Sequence, residues 1–409
     1  MNLPSKFKLS SSALLVLSLV AAGHAFAAPK TYTAKKIDAG SFPSGYNVTA
    51  VSPNGKKYAG TKSRSGGGFE AWYYNGSSFK TIPFISNVDW STKDSNPPLG
   101  CRYSYYCEMI PTDINNNGDI VGQGKWDSYY TNQDHVWISR SGGKPGEIKA
   151  TTNVDRSFGA SLNAYGNIVF TARQWPTYDH HAMTQHVSTY KYNSGAKDLG
   201  TLKTGDKVGK ASWASSTPDI KSNSSRPVVG YSKNGETRKV SYYTYDVIKG
   251  FIYKNGKMTE LPAFQSTWDS KAHGINKYGV AVGEAGSRQD QMTYHAVKWV
   301  NGKIIDLNIK PSDGSGLDQK KALHITDDGT IHGIVKEYRY ADGGRRGYDY
   351  PFVYKDGVQK RLMDLVTSGE KFLPFIPIKV LNVNPNGSLL IQGKVEGGSG
   401  WGYYHLTPN

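Results

Sequence analysis

The chain has 409 residues and carries 49 Lys+Arg against 33 Asp+Glu, a formal net charge of +16, with 46 Gly, 28 Tyr, 9 Trp and 2 Cys. So much aromatic surface excludes a disordered chain, because its burial offsets chain entropy. So much glycine excludes a helical bundle, and the length allows several domains or one large all-β unit.

The first residues read as a secretory signal over 1–27. Lys6 and Lys8 start it, residues 13–20 are an apolar run, and Ala25-Phe26-Ala27 supplies a small-x-small cleavage site. The run is too short for a permanent anchor and no second stretch approaches membrane-spanning length. The expectation is a secreted or periplasmic protein, without membrane insertion, whose residues 28–409 form a single domain. Cys101 and Cys107 are the only cysteines. In an exported chain they read as a disulfide pinning one loop.

Self-similarity dominates the rest. Asn- and Gly-rich turns recur at Val48–Gly55, Thr112–Gly122, Leu162–Val169, Ile275–Gly283, Ile325–Gly333 and Leu381–Leu390, with a degenerate copy ending in Pro227-Val228-Val229-Gly230. Each joins two apolar-alternating segments through a Gly suited to positive φ, which is a β-hairpin. An aromatic strand follows, as in His295-Ala296-Val297-Lys298-Trp299, Gly250-Phe251-Ile252-Tyr253 and Pro351-Phe352-Val353-Tyr354. A short fourth strand then ends the repeat, as in Lys197-Asp198-Leu199, Ile305-Asp306-Leu307 and Met363-Asp364-Leu365. Four antiparallel strands in about 50 residues is the arithmetic of a propeller blade. The last repeat lacks a fourth strand, and Tyr32–Ala39 supplies one from the other end of the chain. The expected fold is an all-β, seven-bladed β-propeller of four-stranded antiparallel blades, its ring closed by the N-terminal strand; six blades is the alternative.

The Ile-Asn-x-x-Gly-x-x-Val-Gly hairpin at Ile275, the His-Ala-x-x-Trp strand at His295 and the Asp-Leu-Gly-Thr-Leu tail at Asp198 resemble the HAF-repeat family of bacterial extracellular proteins. The resemblance covers nearly all of residues 28–409. It implies export and repetition, and no defined catalytic residues. His295-Ala296 is read as the one copy keeping His-Ala, and Phe170 stands where the hairpin's last Gly belongs.

In a four-stranded meander, the Asn-Gly turns fall on one face and the longer connections between strands two and three on the other. The longer segments carry Trp126, Tyr129, Tyr130, Trp175, Tyr178, His180, Tyr242, Tyr243, Tyr338, Arg339 and Tyr348. Flat apolar rings beside polar groups suit sugar rings or a protein surface. The competing reading is that these rings pack on the scaffold. The expected function is a non-catalytic binding or interaction module whose loop-rich face meets a glycan or protein, with anionic polymers among the targets of so basic a chain. The alternatives are a secreted carbohydrate-active enzyme, glycosidase or lyase, drawing two carboxylates from Asp127, Asp179, Asp246, Glu337 and Asp349, and an architectural surface protein.

Other motifs are weaker. Asp113-Ile114-Asn115-Asn116-Asn117-Gly118-Asp119 imitates half a calcium loop, but Gly124 stands where the bidentate Glu belongs, so the hairpin turn explains it better. Asp179, His180, His181 and His186 cluster, but adjacent strand residues point to opposite sides. No metal or cofactor is expected. The basic residues are spread along the chain, which argues against a nucleic-acid channel.

Overall fold

The computed structural model describes residues 28–37, 45–65, 68–84, 108–128, 131–148, 154–174, 177, 179–186, 196–202, 211–219, 227–287, 293–310, 319–341, 344–373, 378–398 and 400–409. The expected signal segment and the expected Cys101–Cys107 disulfide lie outside the described residues. The all-β expectation holds: the described secondary structure is strand apart from a 3-10 turn at Met363–Leu365.

Among the described residues the strands form five sheets, of five, four, four, eight and eight strands, in which runs of four consecutive antiparallel strands recur as units. Units 1 to 6 are β2–β5 (46–82), β6–β9 (108–147), β10–β13 (154–198), β14–β17 (212–261), β18–β21 (269–306) and β22–β25 (319–361). Unit 7 combines β27 (Lys379–Val383), β28 (Leu389–Lys394) and β29 (Trp401–Pro408) with the N-terminal β1 (Tyr32–Lys36), which lies antiparallel to β29. A short β26 (Val366–Gly369) runs parallel to the outer side of β1.

Local chemistry builds each unit. At the turn after the first strand, Asn115 Oδ1 accepts the N–H groups of Asn117 and Asp119, at 3.0 Å each. Asn163 and Asn276 repeat the arrangement, and the Ser52 and Thr326 hydroxyls accept the N–H groups of Lys57 and Thr330. The buried side chain closes the turn, as an Asx turn does, so the residues that imitated a calcium loop serve the hairpin. Within the sheet, Gly60, Gly122, Gly230 and Gly333 of the second strands face Trp72, Trp137, Phe251 and Phe352 of the third. A Cβ at Gly60 would stand 2.6 Å from the Trp72 ring, so the glycine seats the aromatic side chain. In unit 3 the pair is inverted: Phe170 fills the space and faces Met183.

The core is divided among neighbouring units. One apolar cluster joins units 1 and 2 (Tyr73, Met109, Trp137), and others join 2–3, 3–4, 4–5, 5–6 and 6–7. A further cluster of Ile37, Val48, Val51, Trp72 and Leu390 joins unit 7 to unit 1. Serines stitch the boundaries: Ser212 accepts the Ala182 N–H and donates to the Gly200 carbonyl, and Ser270 does the same with Gly250 and Leu261.

Three segments expected as loops are strand: residues 125–128 lie in β7 (Ile120–Ser128), paired to its end with β8 (Thr131–Ser139), and two more belong to longer hairpins. β15 (Val228–Val240) with β16 (Tyr243–Lys254), and β23 (Ile331–Ala341) with β24 (Gly344–Lys355), form long hairpins paired almost to their tips. Near the tip of the first, Arg238, opposite Tyr245 and 5% exposed, has its guanidinium 2.7 Å from the 1% exposed Asp269 carboxylate.

Candidate functional site

The first strands border one shared cavity through residues near their ends. Each carries a bulge before its turn, where the pairing register slips by one residue. The residue after the bulge is Ala50, Asp113, Ser216, Gly274, His324 or Asn382 in six units, and Ser161 holds the equivalent place in unit 3. A bulge turns two neighbouring side chains toward one side, which brings these groups inward. Asn382 of unit 7 donates to Asp113 Oδ1 of unit 2 at 3.4 Å, reaching past Ala50 of unit 1. The other Asp113 oxygen accepts Ser161 Oγ at 3.3 Å and the Leu162 N–H at 2.9 Å.

Below this level lies a cavity of about 60 Å³, walled by all seven units where the first strands meet the Asn-Gly turns. By the volume a water requires, it holds a few water-sized groups. Asp113, Asp219 and Asp327 line it with His324 and the two serines, and no Lys or Arg is among the lining residues. Burial pushes the Asp113 carboxyl up to about 6 against its four hydrogen bonds, and raises Asp219 too, helped by the nearby Asp327 charge. Burial lowers His324 to about 4, so its ring is neutral near pH 7, and its Nε2 has no hydrogen-bond partner. Asp219 and Asp327 also accept the N–H groups of Ala164 and Lys277, and the Lys277 ammonium lies 3.1 Å from Asp327 on the outer side. Among the described residues no group of three His, Cys, Asp or Glu is arranged to hold a metal ion.

The sequence placed function on the opposite face. Tyr129, Tyr130, Trp175 and Tyr178 lie outside the described residues; Trp126 is in β7 (Ile120–Ser128), Tyr338 and Arg339 are in β23, and Tyr348 is in β24. Tyr242 and Tyr243 stand at the tip of the β15–β16 hairpin, 98% and 68% exposed. His180 is enclosed in a ladder: its ring stacks on Trp213 (5.5 Å), Trp213 on Tyr231 (5.0 Å), and the Lys271 ammonium covers the next face at 5.5 Å. Both faces of Trp213 are taken by neighbouring rings. Lys271 continues to the buried Glu284, shared with Lys321, each at 3.4 Å. Burial would raise Glu284, but His273, Lys321 and Lys271 pull it to about 2. Of the carboxylates, Asp246 pairs with Lys233 at 2.7 Å and Asp349 with Lys336 at 4.0 Å.

The motif search missed a second His-Ala copy. His181 Nδ1 lies 2.7 Å from Asp198, as His295 Nδ1 lies 2.8 Å from Asp306 and His135 Nδ1 2.7 Å from Glu147. The signal for it is His181-Ala182 together with the Asp198 tail, which the adjacent His180 and His186 obscure in the sequence.

No family model matches the chain, and no curated protein matches it. Among solved structures it is similar to the β-propeller domain of the Trilobed protease from Pyrococcus furiosus, at 8% identity and TM-score 0.47, over 91% of this chain and 98% of that one. It is also similar to prolyl oligopeptidase B from Galerina marginata, at 10% identity and TM-score 0.43, over 83% of this chain and 47% of that one. A Mycobacterium tuberculosis puromycin-hydrolyzing peptidase gives 10% identity and TM-score 0.32, over 90% of this chain and 60% of that one.

The expectation of a non-catalytic glycan- or protein-binding module on the loop-rich face is corrected. The solved structures named above are the β-propeller domain of a protease, a prolyl oligopeptidase and a puromycin-hydrolyzing peptidase. The described aromatic residues of that face also form no common platform: His180 is consumed in the ladder, while Tyr242 and Tyr243 stand apart on a hairpin tip.

Proposed function

We propose that the chain is a seven-bladed β-propeller of a peptidase-related kind, closed by its N-terminal strand. We further propose that its axial cavity receives the ammonium group of an amine or of a peptide's free amino end. The closure is supported by the antiparallel pairing of β1 with β29 and by the apolar cluster joining the seventh unit to the first. Export belongs to the same proposal, supported by the basic start, apolar run and Ala25-Phe26-Ala27 of the first 27 residues, as does kinship with HAF-repeat proteins, supported by the three His–carboxylate pairs in the third and fourth strands.

The observation that carries the functional reading is charge inversion. A chain with 49 Lys+Arg against 33 Asp+Glu lines its axial cavity with three aspartates, a neutral histidine and no Lys or Arg, the Asp327 carboxylate being paired with Lys277 on its outer side. A carboxyl raised by burial gains most from a cation, which restores the interaction that desolvation removed. An ammonium group offers N–H donors that the unpartnered His324 Nε2 accepts.

The test is thermal unfolding at pH 7 with methylammonium chloride against tetramethylammonium chloride at equal ionic strength. Methylammonium should raise Tm saturably, tetramethylammonium should not, and Asp113→Asn should remove the difference. Equal shifts with both salts, or an undiminished response in Asp113→Asn, would refute the site.

A further inference from the structure

β1 differs from every other fourth strand among the described residues. β5, β9, β13, β17, β21 and β25 each pair with one neighbour, whereas β1 is inserted between β29 and β26. It pairs with β29 over five residues, from Tyr32 opposite Pro408 to Lys36 opposite Tyr404. Flanking bonds extend the match, from the Asn409 N–H to the Thr31 carbonyl and from the Ile37 N–H to the Tyr403 carbonyl, both 2.9 Å. On the other side the Glu370 N–H donates to the Ala34 carbonyl at 3.1 Å. Gly369, at φ +84°, permits that approach, since a Cβ there would fall on the Ala34 carbonyl oxygen.

The slot reads side chains as well as backbone. Tyr32, Ala34 and Ile37 are 1%, 2% and 4% exposed. The Tyr32 hydroxyl lies 2.6 Å from Nε2 of His332, which belongs to unit 6. The pattern Tyr-x-Ala-x-x-Ile occurs once in the 409-residue sequence, at Tyr32, Ala34 and Ile37. Main-chain pairing on two edges supplies affinity and alternate side-chain pockets supply selectivity, the physics of strand addition.

We propose that the seventh unit is a strand-acceptor site for an extended peptide of pattern Tyr-x-Ala-x-x-Ile, filled in cis by β1 and able to take the same strand from a second copy of this chain. The partner is a second copy because the slot's requirements are met in this sequence by that segment alone. Exchange replaces each contact by its identical counterpart, so it forfeits little beyond the entropy of association.

The experiment starts from the folded full-length chain carrying a protease site inserted between residues 38 and 45, which is cut after folding. The severed segment should stay bound through gel filtration and, on warming to just below Tm, exchange for a fluorescent peptide of residues 29–38. Saturable binding is expected; Tyr32→Phe in the peptide should weaken it about tenfold, the scale of one hydrogen bond, and Tyr32→Ala by about 100-fold or more. Uncut copies bearing two different tags and refolded together should co-purify in a concentration-dependent fraction. Loss of the cut segment with loss of fold, equal binding of a scrambled peptide, or failure of the tagged copies to associate would each overturn the proposal.

Discussion

Gly122 of the second strand and Trp137 of the third are paired residues, and the Trp137 indole occupies the space a Gly122 side chain would need. The same relation holds for Gly60 with Trp72 and Gly333 with Phe352, while Phe170 and Met183 exchange the roles. Gly122→Ala should therefore destabilise the protein by about 1–3 kcal/mol through overpacking. Phe170→Ala should cost about 3–5 kcal/mol by opening a cavity between units 2 and 3. Denaturant unfolding measures both, and a neutral Gly122→Ala would disprove the seating of the indole.

The buried pair Arg238–Asp269 anchors the long β15–β16 hairpin. Arg238→Ala leaves the Asp269 carboxylate buried without its ion-pair partner, and should cost about 3–5 kcal/mol. Limited proteolysis of this variant should cut first near Tyr242 and Tyr243. Wild-type resistance would show that the pair does not hold the hairpin.

Acid should loosen the seam around β1. Burial lowers His332 to about 3 and His324 to about 4, and burial with the Lys35 charge lowers His405 to about 4. The ordinary imidazole value is about 6.5, so the unfolded chain takes up these protons first. Their contribution is complete above pH 6.5 and is lost as pH falls toward 4 and 3. Tm measured from pH 7 to pH 4 should fall, and less steeply in His332→Phe.

Asp113 acts with the opposite sign. Its folded value of about 6 exceeds the ordinary aspartate value, so the native state holds the proton more tightly. Its contribution is full below about pH 4 and is lost as pH rises through 6, a swing of at most about 3 kcal/mol for a shift near two units. Asp113→Asn should flatten that part of the profile. A carbon-13 carboxyl titration assigned to Asp113 with a midpoint near 4 would contradict its burial.

The strands and hairpins were legible because their signals are local. Alternation of apolar residues, an Asn or Thr closing its own turn and a Gly at positive φ, such as Gly118 and Gly279, all act within about ten residues. The candidate site was not legible. Asp113, Ser161, His324 and Asn382 sit at equivalent positions of four units, but nothing in their neighbours marks them as facing one cavity. The aromatic segments are conspicuous in composition, yet three of them are paired strand and His180 is part of a ladder. Composition shows which residues can contact a ligand, and not whether their faces are already covered.

The sequence by itself determined an all-β chain of recurring four-stranded units and the N-terminal origin of the final unit's fourth strand. Only the tertiary structure decided which groups meet: a one-residue bulge precedes both Asp113 and His324, and the packing of each unit on the next gathers them around one cavity. It also set Tyr32 against His332, 300 positions away. The physical reason is range. Backbone conformation responds to adjacent residues, whereas the burial and charge of a site depend on groups that only folding brings together.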